Sequence, residues 1–123
     1  DNCLILANFV EFDTLFGHRR DAEGYARALE WFDAQIGPIL AQSRPDDLVI
    51  FTADHGNDPT WRGTDHTREQ VPVLVHGQKL AQPTGFERTI AFQDVAATVA
   101  THLGVVAQGK GRNFYELENI SEN

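Results

Sequence analysis

The 123-residue chain is 41% hydrophobic and carries 18 acidic against 10 basic side chains, a formal charge of −8. This length suits one globular domain with a core of its own, and the acidic balance argues against a polyanion held on a basic surface, so no nucleic-acid partner is expected. No apolar run reaches the roughly 20 residues of a membrane span, the opening Asp1-Asn2-Cys3 lacks the basic start of a signal peptide, and the single Cys3 has no partner for an internal disulfide, so a cytoplasmic location without membrane contact is expected.

The chain contains no methionine and opens almost at once into a strand-like run, which reads as a segment of a longer protein. Residues 3–10 (CLILANFV) are nearly all apolar, the pattern of a strand buried on both faces of a parallel sheet. A polar loop is expected over 11–20. From 21 to 42 the apolar positions Tyr25, Ala28, Leu29, Phe32, Ile36, Ile39 and Leu40 recur at three- and four-residue steps, with Asp21 and Glu23 at the amino end. This spacing predicts an amphipathic helix, and Gly37-Pro38 should kink or restart it. The run 48–53 (LVIFTA) follows the turn-prone Pro45-Asp46-Asp47 as a second buried strand, so strand, helix and strand should form a βαβ unit with parallel strands.

A polar loop over 54–69 separates that strand from a third at 71–76 (VPVLVH). Structureless connections of this length in compact domains are usually functional. A short strand over 89–92 and a helix from Asp94 closed by Gly104 complete the elements, and 105–123 is Gly-rich and then polar. The fold class is α/β, a mostly parallel sheet flanked by helices, with chemistry expected at the carboxyl ends of the strands.

Five residues fall where that rule places chemistry. Asp13 and His18 lie just beyond the first strand, Asp54 and His55 just beyond the second, and His66 in the long loop. Carboxylate oxygen and neutral imidazole nitrogen are the ligand types for Mn²⁺, Zn²⁺ and similar cations. Each residue alone has a structural explanation as a turn former, a helix cap or a hydrogen-bonded loop histidine. Their common position at one end of consecutive strands favours a metal site, with room for more than one ion.

The segments 8–21 (NFVEFDTLFGHRRD) and 51–77 (FTADHGNDPTWRGTDHTREQVPVLVHG) resemble phosphopentomutases, members of the alkaline-phosphatase superfamily related to cofactor-independent phosphoglycerate mutases. An Asp-His pair after a strand is general to that superfamily, whereas GNDPTWRGTDHTRE looks like the phosphopentomutase branch. Glu11 and Asn57 stand where many relatives carry Asp and Cys. The resemblance implies an alkaline-phosphatase-like core in which Asp13, His18 and His66 bind one manganese ion, while Asp54 and His55 bind the other. It implies further that the remaining aspartate ligand, the phosphorylated threonine nucleophile and the cap domain lie upstream. Residues 1–123 would then be the carboxy-terminal part of the metal-binding core, with no catalytic nucleophile and with the upstream part of the same protein as partner.

The implied reaction interconverts the 1- and 5-phosphates of ribose or deoxyribose, with two Mn²⁺ (or other divalent cations) and a sugar bisphosphate activator. For His66 to reach the metals, loop 54–69 must leave and return at one sheet edge, so strand 71–76 should run antiparallel to 48–53.

Arg19, Arg20 and Arg68 closely follow ligand positions, where a guanidinium fork suits a substrate phosphate or a ligating carboxylate, and ordinary salt bridges are the alternative. Asp65, Thr67 and Glu69 flank His66 as acceptors for its second ring proton or as local turn formers. Trp61 is placed to shape the mouth of the site; His76 and His102 match no ligand position. Two other readings share these features: another two-metal phosphatase, phosphodiesterase or phosphoglycerate mutase, and a non-catalytic module that metal merely stabilises.

Overall fold

The computed structural model describes residues 3–77 and 89–114. They divide into a unit Leu6–Gly77, and a second unit to which 3–5 and 89–114 belong.

In the first unit, α1 spans Ala22–Ala41 and starts where the sequence places it: Asp21 Oδ1 accepts the Gly24 amide at 2.8 Å, a side-chain cap for an otherwise orphaned donor. Pro38 sits inside the helix, which continues as one element rather than restarting. The carbonyl that loses its donor to a proline here belongs to Ala34, an exposed residue open to solvent. Phe32 on α1 is the hub of packing. Its ring meets Phe9 at 4.9 Å, Phe12 at 6.1 Å and Phe51 at 5.9 Å, all edge-on. Such pairs favour the quadrupole alignment and contribute about 0.5–1.5 kcal/mol each beyond the area they bury. They tie the first ligand segment and the sheet to one helix.

The sheet consists of β1 (Val49–Thr52) and β2 (Val73–His76), antiparallel, with Val49 opposite His76 and Thr52 opposite Val73. The connection therefore leaves and returns at one end, as expected from the need to bring His66 back. An isolated bridge between Gly56 and Thr67 extends the pairing into the loop, with the Thr67 amide 3.2 Å from the Gly56 carbonyl.

The start of the chain differs from expectation. Residues 3–9 form no strand, and the described residues contain no parallel pairing. A strand exists only through hydrogen bonds to a neighbour, and this apolar run has none: Leu4, Ile5 and Leu6 are 65%, 84% and 89% exposed. The loop expected over 11–20 is instead helical, a π-helix at Phe12–Gly17.

In the second unit, α2 covers Phe92–Leu103, so the short strand expected over 89–92 is absent and Phe92 already belongs to the helix. The buried Asp94 accepts the Ala91 amide at 3.0 Å and the Arg112 amide at 2.9 Å. Thr98, fully buried, donates to the Asp94 carbonyl and accepts the Phe114 amide, which lays 112–114 along the helix. Gly104 closes α2 with φ 71°, the left-handed conformation that a side chain would strain. Among the described residues, no helix is long and apolar enough to cross a membrane.

Candidate metal centre

The π-helix explains a spacing that an α-helix would not serve. At 3.6 residues per turn, positions five apart point about 140° away from each other. The wider turn instead bonds residue i to i+5, and the His18 amide donates to the Asp13 carbonyl at 2.9 Å. Asp13 and His18 thus stand side by side: His18 Nε2 is 3.3 Å from Asp13 Oδ2. From the other side, the loop delivers His66, whose Nε2 lies 3.4 Å from Asp13 Oδ1. One donor atom from each of the three lies within 4.8 Å of the other two.

The tautomer of His18 makes this cluster informative. Its Nδ1 bonds the Thr64 carbonyl, which can only accept, so the neutral ring carries its proton there and its lone pair on Nε2. That lone pair faces a carboxylate oxygen, acceptor against acceptor. The pair is repulsive unless a proton or a cation lies between them. At metal–ligand distances of roughly 2.0–2.2 Å, neighbouring ligand atoms of a tetrahedral ion stand about 3.4 Å apart, so both the spacing and the donor chemistry fit a divalent cation.

Asp13 is kept ionised. Partial burial pushes its pKa up, but the Asn57 hydrogen bond, joined by the attraction of His18, His66 and His55 whenever these rings are protonated, outweighs this and holds it below the usual carboxylate range. Ligation requires the deprotonated form. Beneath it Tyr25, whose ring meets Phe12 at 5.5 Å, has its phenol pushed up by burial and by the Asp13 charge.

The other expected ligands are only partly gathered. The His55 ring stacks against His66 at 3.9 Å, tilted by 32°. Asp54 stays out of the cluster, 87% exposed, with Oδ1 3.8 Å from His55 Nε2. Arg19 is exposed, whereas Arg20 is half-buried and turned inward. Arg68, Thr67 and Glu69 line an open depression with Trp61 and His66.

None of Asp65, Thr67 and Glu69 hydrogen-bonds the His66 ring among the described residues. They order the loop instead. Thr67 Oγ1 accepts the Asp58 amide at 2.6 Å, the Asp65 carbonyl accepts from Arg20 Nη2 at 2.6 Å, and Glu69 packs over Gly56. Sequence reasoning missed Asn57, Tyr25 and the Thr64 carbonyl as partners of the cluster. Asn57 had one signal, its departure from the residue common in relatives; the others had none.

The profile of the Metalloenzyme superfamily matches residues 1–107. The chain belongs to the Metalloenzyme superfamily. A divalent metal is what membership implies, and the Asp13–His18–His66 cluster is where these residues could hold it. The chain is 54% identical over 120 residues to the phosphopentomutase of Chromohalobacter salexigens, covering 95% of this chain and 29% of that protein. It is 59% identical over 112 residues to the phosphopentomutase of Methylobacterium radiotolerans, covering 90% and 27%. With the Vibrio cholerae phosphopentomutase it shares 51% over 114 residues, covering 93% and 28%. The chain therefore spans less than a third of the length of these curated relatives.

Proposed function

We propose that this chain is the metal-binding part of a phosphopentomutase, an isomerase that interconverts the 1- and 5-phosphates of ribose or deoxyribose through a phosphothreonine. The observation that carries the reading is the convergence of Asp13, His18 and His66, with the His18 lone pair fixed toward Asp13, in a chain 51–59% identical to phosphopentomutases. In this reading Asp13, His18 and His66 hold one Mn²⁺, and Asp54 and His55 contribute to a second. The bound ions supply Lewis acidity to the phosphoryl oxygens and lower the pKa of the nucleophile.

The chain's own residues bind and orient. Asp13 brings the negative charge, His18 and His66 bring neutral nitrogen, and the Thr64 carbonyl keeps the His18 ring from turning. In this reading Arg68, exposed in the depression beside His66, meets a substrate phosphate, and the exposed Arg19 is available for the same role. The threonine nucleophile and the remaining ligand belong to other parts of the longer protein. Pentose phosphates are the substrates, a sugar bisphosphate the activator and the cytoplasm the location.

The test is conversion of ribose 1-phosphate to ribose 5-phosphate, with Mn²⁺ and a sugar bisphosphate, by the longer protein that contains this segment. Turnover by that protein, loss of at least a hundredfold in its His18→Ala and Asp54→Ala variants, and none by the 123-residue chain are expected. Robust turnover by the chain alone, or full activity in both variants, overturns the reading.

A further inference from the structure

Arg20 has an unusual environment for a cation beside a metal cluster: among the described residues it hydrogen-bonds no carboxylate, and only its charge is felt by Asp58. Its Nε donates to the Gly63 carbonyl and its Nη2 to the Asp65 carbonyl, while Nη1 reaches the Gly17 carbonyl at 3.1 Å, the Asp58 carbonyl at 2.7 Å and Asn57 Oδ1 at 2.7 Å. Every acceptor is a neutral carbonyl or carboxamide oxygen, and together they come from both segments that deliver the metal ligands. The planar fork therefore works as a staple between 17–20 and 57–65. Its backbone is left-handed, φ 56°, a conformation that a non-glycine residue keeps only where its surroundings over-determine it.

Asn57 extends the staple to the cluster. With Oδ1 occupied by Arg20, its amide group must point the other way, and Nδ2 donates to Asp13 Oδ1 at 2.6 Å. This fixes which end of the carboxamide faces the carboxylate, and it orients the plane of Asp13 between His18 and His66. Gly17 leaves the room: a Cβ there would stand 2.5 Å from Asn57 Nδ2.

We propose that Arg20 and Asn57 are positioning residues of the metal centre, a relay that closes the two ligand segments on each other and aims Asp13 before an ion arrives. The inference rests on the metal reading of Asp13, His18 and His66. Its physical content is preorganisation, because ligands already ordered lose less freedom on binding. For an alternative role, substrate phosphate contact, Arg20 would have only the second Nη2 hydrogen to offer, because Nε, Nη1 and the first Nη2 hydrogen are engaged.

The experiment is Mn²⁺ titration of the 123-residue chain, followed by calorimetry, for the parent sequence and for Asn57→Leu, Arg20→Lys, the double variant and His18→Ala. Leu keeps the bulk of Asn without its donors; Lys keeps the charge without the fork. Each single change should weaken Mn²⁺ binding about tenfold or more, the usual effect of removing a partner that orients a ligand. Because the two residues act in series, the double variant should be no weaker than the worse single variant, within about twofold. Metal-free hydrogen exchange gives an independent reading: Arg20→Lys should speed exchange of the Thr67 and Asp58 amides, which lie inside the stapled loop.

Asn57→Leu binding Mn²⁺ as tightly as the parent, additive losses in the double variant, or unchanged amide exchange in Arg20→Lys each overturn the relay. Parent binding that is indifferent to His18→Ala, or absent altogether, overturns the metal reading instead and the proposal with it. The two failures are thus distinguishable, and a poorly folded Arg20→Lys leaves Asn57→Leu to decide.

Discussion

Replacing Gly17 by alanine sets two effects of opposite sign against each other. Within a helical turn alanine is favoured over glycine by roughly 0.5–1 kcal/mol, so the substitution would stabilise if there were space. There is none. The new Cβ would stand 2.5 Å from Asn57 Nδ2, 2.8 Å from Asn57 Cγ and 3.1 Å from the Phe12 carbonyl oxygen. The carboxamide can rotate away only by giving up its bonds to Asp13 at 2.6 Å and to Arg20 at 2.7 Å. Hydrogen bonds to charged groups contribute about 1.5–3 kcal/mol each when dry, and the half-exposed Asn57 recovers part of that from water, which leaves a combined loss of about 2 kcal/mol. The net expectation is destabilisation by about 1 kcal/mol, a melting midpoint lower by roughly 4 °C in a chain of this size. Thermal and urea unfolding of the metal-free chain measure it, and Mn²⁺ affinity should fall alongside. A Gly17→Ala chain that is more stable than the parent and binds Mn²⁺ equally well would refute the reasoning.

Phe32→Ala removes a half-buried ring with three edge-on partners and should cost about 2–3 kcal/mol in urea unfolding, below the 3–5 typical of a fully buried Phe. The folded-state pKa of Asp13 lies below its ordinary 3.8, so its contribution to stability is complete above that value and is lost as pH falls through the lower folded value. Asp13→Asn should therefore flatten the acid limb of the metal-free stability profile; an unchanged limb would show that the carboxylate is not so held. Gly104→Ala, at φ 71°, should destabilise the chain by about 1 kcal/mol through the left-handed backbone alone, read from the thermal midpoint.

What the sequence made legible was whatever local chemistry decides. The limits of α1 followed from the apolar steps with Asp21 and Glu23 at the amino end, the end of α2 from Gly104, and the antiparallel return of β2 from the need to carry His66 back. What it hid depends on partners or on unusual register. Residues 3–10 have the composition of a buried strand, but composition cannot supply the neighbouring strand. The π-helix at Phe12–Gly17 leaves no mark on apolar periodicity, although it is what brings Asp13 beside His18. Asn57 gave no hint of its role in spacing or charge, since a loop carboxamide acquires meaning only from what lies at each end of it. Arg20, read as a candidate for substrate or ligand contact, turned out to serve backbone carbonyls across the two ligand segments.

The central claim is that Asp13, His18 and His66 together hold a divalent cation. Anomalous diffraction at the manganese edge, on crystals of the chain grown with Mn²⁺, tests it most directly. The account predicts a peak at roughly 2 Å from an Asp13 oxygen, from His18 Nε2 and from His66 Nε2, with the His18 Nδ1 bond to the Thr64 carbonyl intact. Manganese bound elsewhere on the chain, with these three side chains free of it, would contradict the claim.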